Sequence, residues 1–336
     1  MAIGVSAFGT FNDKRVDQFR LKSDTGVEVD IIGYGVVVRD WRVPVRGGTR
    51  SVVLGFEDFD FYPRHSPHFG AVAGRVANRI GGSHFEIDGK TYTVPSNEGP
   101  NSLHGGPEGL GRQVWAGEVD EKANAVRFSH FSPAGHMGYP GNVQFAATYT
   151  LTGNVLRLDF AATTDARTPI SLVQHQYFNL SDAETVLDHR FRLKAGAFTE
   201  VDDKLIPTGV IRPVDGTKWD LREARTLRDG AHKGIAYDGN LVLDTGRDLA
   251  EPVAVVTAPE GDLTLTLKTD RPGLQFYDAV YTNMPVPGLR GRHYGQFSGF
   301  CLEDQAFPDA MNHPHFPSIV CGPEKPYAHW CEIAIG

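Results

Sequence analysis

Apolar side chains in this chain come in short runs with a two-residue period, and Gly, Pro, Asn or Asp soon cuts each run. Extended backbone points successive side chains to opposite sides, so such a run specifies a half-buried strand. Val27-Glu-Val29-Asp-Ile31 sets apolar against acidic side chains. Val36-Val37-Val38, then Trp41, Val43 and Val45, lead to a turn at Gly47-Gly48, and Ser51-Val-Val-Leu-Gly55 reads as a further short strand. Phe85 to Val94 is a hairpin with Asp88-Gly89 at its tip. Val143–Leu151 with Val155–Thr163, and Val253–Ala258 with Leu263–Thr269, predict two more hairpins. Helical periodicity is nearly absent; only Asp220-Leu-Arg-Glu-Ala-Arg225, with Asp220 as N-cap, predicts a short helix. Many short strands with few helices predict a large antiparallel sandwich or barrel. With no repeat, low-complexity tract or long linker, residues 1–336 read as one domain.

The net charge of −8 and the lack of a dense Lys/Arg run argue against nucleic acid or an anionic membrane as partner; Arg64, Arg75 and Arg79 stand among apolar residues. Cys301, Cys321 and Cys331 lack C-x-x-C spacing, and their odd number suits reduced thiols, although one disulfide among them stays open. The start, Met1-Ala-Ile-Gly-Val-Ser, is not a basic segment followed by an apolar one, and no apolar run approaches about 18 residues. The expectation is a soluble cytoplasmic protein.

Phe300-Cys-Leu-Glu303-Asp-Gln305 places a carboxylate in an apolar run, ahead of a loop stiffened by Pro308, Pro314 and Pro317. Burial there raises a carboxyl's pKa toward neutrality, the property of a proton-transfer group; a structural ion pair is the alternative. Asn78-Arg79 offers forked donors for hydroxyls or a carboxylate, and equally an ion-paired arginine. Around His104, Gly105-Gly106 lets the backbone turn tightly, without the Lys-Ser/Thr ending of a phosphate loop. In Val173-Gln-His175-Gln-Tyr177, alternation sets Val173, His175 and Tyr177 on one face, where His175 is a core residue or a proton carrier. Asp238 in Tyr237-Asp-Gly-Asn240 and Gln275 in Gly273-Leu-Gln-Phe-Tyr277 are short polar groups in apolar surroundings, suited to sugar hydroxyls or to ordinary turns and edges.

These six stretches, in this order, resemble the aldose 1-epimerase (galactose mutarotase) family, as do Val53-Leu-Gly55, Phe198-Thr-Glu-Val-Asp202, Leu205-Ile-Pro207-Thr-Gly209 and Pro308-Asp309-Ala-Met-Asn312. The resemblance runs over nearly the whole chain and implies an all-β, single-domain β-supersandwich of about thirty strands with a sugar cleft. It implies Glu303 as catalytic base, His175 as catalytic acid and His104 as a second site histidine, with Asn78, Arg79, Asp238 and Gln275 binding hydroxyls. The loop at 308–312 is expected to aim Glu303. A monosaccharide is the implied substrate, with no cofactor and no metal, and with monomer and homodimer both open.

Mutarotation takes a proton from the C1 hydroxyl and gives one to the ring oxygen, so that the ring opens and recloses on either face. A carboxylate and a protonated imidazole suffice, and an acidic neighbour is expected to raise the imidazole's pKa. The chain departs from the family pattern at Gln174 and Gln176 around His175, at Gly239 where His is common, and at Asp304 beside the base. Gly239 is expected to widen the pocket, and Asp304 to point to the opposite face from Glu303. Other readings are a glycoside hydrolase using Glu303 and Asp238, a silent carbohydrate-binding protein, and a metal site from His313-Pro-His315 with His104 or Glu303, which the intervening proline disfavours.

Overall fold

Alternation in the sequence becomes alternation in space. A computed structural model describes residues 2–229 and 236–336, and among them are 27 strands and one five-residue α-helix, Phe61–His65. All the sheets are antiparallel. A five-stranded sheet runs in chain order from Gly4–Phe11 to Gly48–Ser51. A nine-stranded sheet has the long pair Val143–Thr152 and Val155–Thr164 beside the C-terminal strand Tyr327–Ile335, which in turn pairs with Thr264–Thr269. A second five-stranded sheet has the order Pro207–Pro213, Ala195–Val201, Asp238–Leu243, Gly273–Tyr277, Cys301–Gln305. Phe19, Trp41, Phe128, Leu158, Ile333, Leu274 and Leu302, drawn from all three sheets, share one buried core. This is the expected β-supersandwich.

The second five-stranded sheet fixes the site. Leu241, Leu274, Phe276 and Leu302 point into the core. Fully burying such a side chain stabilises by roughly 1.5–3 kcal/mol. Side chains one position along therefore point the other way: Asp238, Asn240, Gln275, Tyr277, Cys301, Glu303 and Gln305. Gln275 stands opposite both Asn240 and Glu303 on its neighbouring strands. A one-residue slip would bury the polar row and expose the apolar one, so the hydrophobic pattern holds the carboxylate on its face.

Three predicted hairpins form: His84–Ile87 with Lys90–Thr93, Val143–Thr152 with Val155–Thr164, and Ala254–Thr257 with Thr264–Thr269. The predicted helix at 220–225 does not. Six residues barely exceed the helix nucleus, and sheet pairing outcompetes it: Leu193 N–H donates to Leu221 O at 2.7 Å, and Arg225–Thr226 pairs with Arg190–Phe191. Ser51 to Gly55 is not a strand either; a strand ends at Ser51, and Val53 makes an isolated bridge to Phe178. The acidic side of Val27–Ile31 is not solvated throughout, because Asp30 is fully buried between Arg20 and Arg42, at 2.7 and 2.9 Å. All three cysteines are buried and free, so the disulfide left open is not formed.

Candidate active site

A cleft of about 190 Å³ lies over the polar face of the second five-stranded sheet, and all seven residues to which the family resemblance gives site roles line it: Asn78, Arg79, His104, His175, Asp238, Gln275 and Glu303. Gln275, Asp238 and Glu303 form its floor on three adjacent strands; loops supply the walls.

His175 follows the two-residue strand Val173–Gln174 and is clamped by backbone bonds, its N–H to Ala71 O and its O from Gly70 N–H, both 2.9 Å. Its ring stacks between Tyr177 (5.1 Å, 10°) and His68 (5.9 Å, 18°). His175 and Tyr177 thus share a face as the alternation predicts, although the strand stops before them. Nε2 lies 3.6 Å from Glu303 Oε2, and Nδ1 lies 3.6 Å from Cys301 Sγ. Cys301 and Glu303, two apart on one strand, therefore face the two ring nitrogens.

Both members of this pair are almost wholly buried, and Glu303 Oε2 has no hydrogen-bond partner. Burial, with Asp238 and Asp304 adding to it and Arg79 opposing, holds the Glu303 carboxyl well above the usual carboxylate range. Burial, helped by nearby His68, pushes the His175 imidazole down to about 3. The expected rise in the imidazole's pKa is therefore corrected: loss of water around the ring lowers it while burial raises the carboxyl, so the shared proton is drawn toward Glu303. A neutral imidazole beside a carboxylic acid holds as many protons as an imidazolium beside a carboxylate.

His104 has a left-handed backbone (φ 52°) and sits before Gly105 and Gly106 at φ 85° and 91°. Gly105 is obligatory, since a Cβ there would lie 1.9 Å from Gly74 O. Asn78 N–H donates to His104 Nδ1 at 3.3 Å, which fixes the tautomer: Nε2 carries the hydrogen. Burial, with His68 and His175 nearby, keeps this ring neutral, making it a hydrogen-bond donor rather than an acid. Asn78 uses Oδ1 to accept from Arg79 N–H (2.9 Å). Arg79 forks onto Glu98 at 2.6 and 2.8 Å, with Asp238 Oδ2 3.9 Å from Nη2. Gln275 Nε2 donates to Asp238 Oδ1 at 2.6 Å.

Two expectations are corrected. Gly239 does not widen the cleft: it points to the core, where a Cβ would lie 2.5 Å from the Trp219 ring, and Trp219 takes the space. The 308–312 loop braces Arg79 rather than Glu303, because Asp309 N–H donates to Arg79 O (3.0 Å) and its carboxylate accepts from Gly81 N–H (2.9 Å). Asp304 does point away from Glu303, as expected; its Oδ2 accepts from Thr269 Oγ1 at 2.6 Å inside the protein. His313 and His315 bond Pro207 O and Gly209 O, away from His104.

Sequence reasoning missed His68, Glu98, Tyr277, Tyr281 and Cys301. Tyr277 and Cys301 were accessible in principle, each two positions from a residue already chosen, whereas nothing local marks His68 or Glu98. Tyr281 is exposed at the mouth, stacked on Tyr277 (6.3 Å, 22°). His104, His175 and Glu303 bring ligand-type atoms within 4.8 Å of one another, spacing that could also admit a cation.

The sequence model of the family described as aldose 1-epimerase matches residues 17–334. The chain belongs to the aldose 1-epimerase family. Galactose mutarotase of Rattus norvegicus is 40% identical over 329 residues, covering 95% of this chain and 94% of the relative. Maltose epimerase of Levilactobacillus brevis is 32% identical over 339 residues, covering 98% and 97%. Among solved structures, the aldose epimerase homologue from C. elegans superposes with a TM-score of 0.90 at 29% identity, covering 95% of this chain and 98% of that one. The chain is thus an isomerase acting on a sugar, built on the fold of its relatives.

Proposed function

We propose that Glu303 and His175 are the base and acid that open and reclose the ring of a free aldose. The supporting observation is the 3.6 Å between Glu303 Oε2 and His175 Nε2. The hydroxyl that loses a proton and the ring oxygen that gains one are bonded to the same carbon, so their proton partners have to lie within a few ångströms of each other. The gap is too long for a good hydrogen bond between them and leaves both atoms open to substrate. Glu303 takes the C1 hydroxyl proton, His175 gives its own to the ring oxygen, the C1–O5 bond breaks, and the open aldehyde turns about C1–C2. Reclosure reverses each transfer, so each turnover restores the pair. Entry of the sugar shifts the resting proton from Glu303 to His175 as hydroxyls solvate the carboxylate.

His104 Nε2–H stabilises charge on the reacting oxygens, while Asn78, Arg79, Asp238 and Gln275 hold the remaining hydroxyls. A hydrolase reading is disfavoured: it needs a second carboxylate free to act, and Asp238 is engaged by Gln275 and faces Arg79. The relatives named above are called after galactose and maltose, and the exposed Tyr281 ring offers a face on which a second sugar ring could rest. Three buried free thiols support a reducing, cytoplasmic setting.

The test is polarimetry of freshly dissolved α-D-galactose, α-D-glucose and α-maltose, with an aryl glycoside alongside. Wild-type protein speeds equilibration, and His175→Ala and Glu303→Ala each lose about 10²–10⁴-fold in kcat while still binding sugar. Unchanged rates in the two variants would misplace the pair, and release of the aryl group would favour a hydrolase.

A further inference from the structure

Glu303 lies on the strand Cys301–Gln305 and His175 just after the strand Val173–Gln174; the main chains of the two segments pair at Phe178 and Phe300 (2.7 and 2.9 Å), three residues from each. Behind Glu303, on the core side, lies a chain of buried polar groups that the reaction does not use. His329 Nε2 is bonded to Asp304 Oδ2 at 2.5 Å, and Thr269 Oγ1 donates to the same oxygen. His329 Nδ1 is 3.1 Å from Tyr327 Oη, which accepts the backbone N–H of Leu172 at 3.0 Å. Asp304 is fully buried, and His329 and Tyr327 are buried as well. With His329 Nε2–H donating to the carboxylate, its Nδ1 accepts from Tyr327 O–H, and the tyrosine oxygen accepts from Leu172. Every bond runs in one direction, from the amide of Leu172 to the carboxylate of Asp304. Leu172 stands three residues before His175, and Asp304 immediately follows Glu303. Alongside, Gln174 Nε2 donates to Leu302 O at 2.9 Å, a second tie between the same two segments, from the residue before the acid to the residue before the base.

We propose that Asp304, His329, Tyr327 and Gln174 are positioning residues whose two bridges set the spacing between the acid and the base. Ordinary packing would not require them. A buried carboxylate and a buried histidine are expensive to place in a core, and apolar side chains of similar size would fill the same space without that cost. What apolar contacts lack is direction: they let packed segments slide by fractions of an ångström, whereas a run of short hydrogen bonds with fixed polarity does not. Proton transfer between two groups and two oxygens on one carbon is sensitive to slips of that size. The bridges thus bear on turnover more than on sugar binding, because the hydroxyl-holding residues Asn78, Arg79 and Asp238 lie on other segments.

The inference rests on Glu303 and His175 as the acid–base pair, and the experiment keeps the two questions apart. Polarimetric kcat and KM are measured for wild type, Tyr327→Phe, Gln174→Met, Asp304→Asn and Glu303→Gln, with circular dichroism as the check on folding. Tyr327→Phe removes only the hydroxyl joining His329 to Leu172, and Gln174→Met removes only the amide bonded to Leu302. Each is expected to lower kcat about tenfold with KM within about twofold of wild type. Asp304→Asn keeps an acceptor oxygen for His329 and retains most of kcat. Tyr327→Phe and Gln174→Met proteins that melt earlier but turn over at the wild-type kcat would overturn the proposal and leave the chain as core structure. So would a rise in KM with kcat intact. If one variant does not fold, the other decides by the same criterion. Glu303→Gln that stays active would refute the acid–base reading itself; Glu303→Gln inactive beside a fully active Tyr327→Phe would remove only the bridges.

Discussion

Replacing His175 by Gln should make the fold more tolerant of acid, by an amount that follows from the burial of the ring. An ordinary histidine takes its proton near 6.5, and the buried His175 does so near 3. A group whose folded pKa is depressed leaves stability intact above its unfolded value; stability is then lost as pH falls, because the unfolded chain binds a proton that the folded one refuses. The window for His175 runs from about 6.5 down to about 3. At pH 5, about 1.5 pH units below the ordinary histidine value, proton binding favours the unfolded state by about 2 kcal/mol, and at pH 4 by about 3 kcal/mol. Urea unfolding of the wild type and of His175→Gln at pH 8, 5 and 4 measures the difference. The variant should lose about 2 kcal/mol less than wild type between pH 8 and 5. The opposite sign is the informative failure. If His175 rested as an imidazolium paired with a Glu303 carboxylate, its folded pKa would be raised, and wild type would gain on the variant as pH fell. Parallel curves would mean that the ring is hydrated, and either result refutes the resting proton on Glu303.

Three further outcomes are expected. Arg79→Lys loses the fork onto Glu98 and should raise KM about tenfold in steady-state polarimetry with a smaller effect on kcat; an unchanged KM would take Arg79 out of the sugar site. Gly239→Ala sets a methyl against Trp219 on the core side, so thermal melts should show a loss of about 1–3 kcal/mol with little change in KM. Extended dialysis against EDTA should leave the rate unchanged, since side chains supply both acid and base; loss with recovery on adding zinc would instead assign His104, His175 and Glu303 to a metal.

Much of the site is legible in the sequence because its floor is built from strands. In a strand, position modulo two decides which face a side chain takes, so Gln275 and Glu303 could be placed together once their strands were recognised. The walls were harder. His68 and Glu98 come from loops whose course depends on what they pack against; His68, Asn78 and His104 all adopt left-handed backbone that nothing in their residue type demands. Gly239 misled for a related reason. Its neighbour Asp238 faces the cleft, so Gly239 faces the core, and the residue that fills its place, Trp219, is distant in sequence.

The sequence by itself determined the sheet-built architecture, the residues of the cleft floor and the family to which the chain belongs, because periodicity, turn residues and ordered motifs are local properties of a chain. Only the tertiary structure decided protonation and spacing. Whether His175 keeps a proton depends on how completely other segments strip water from it. Which partners Asp304 meets on the core side, His329 and Thr269, depends on segments distant in the chain. Both are properties of neighbours brought together by folding, and desolvation and hydrogen bonding act over a few ångströms of space whatever the distance along the chain.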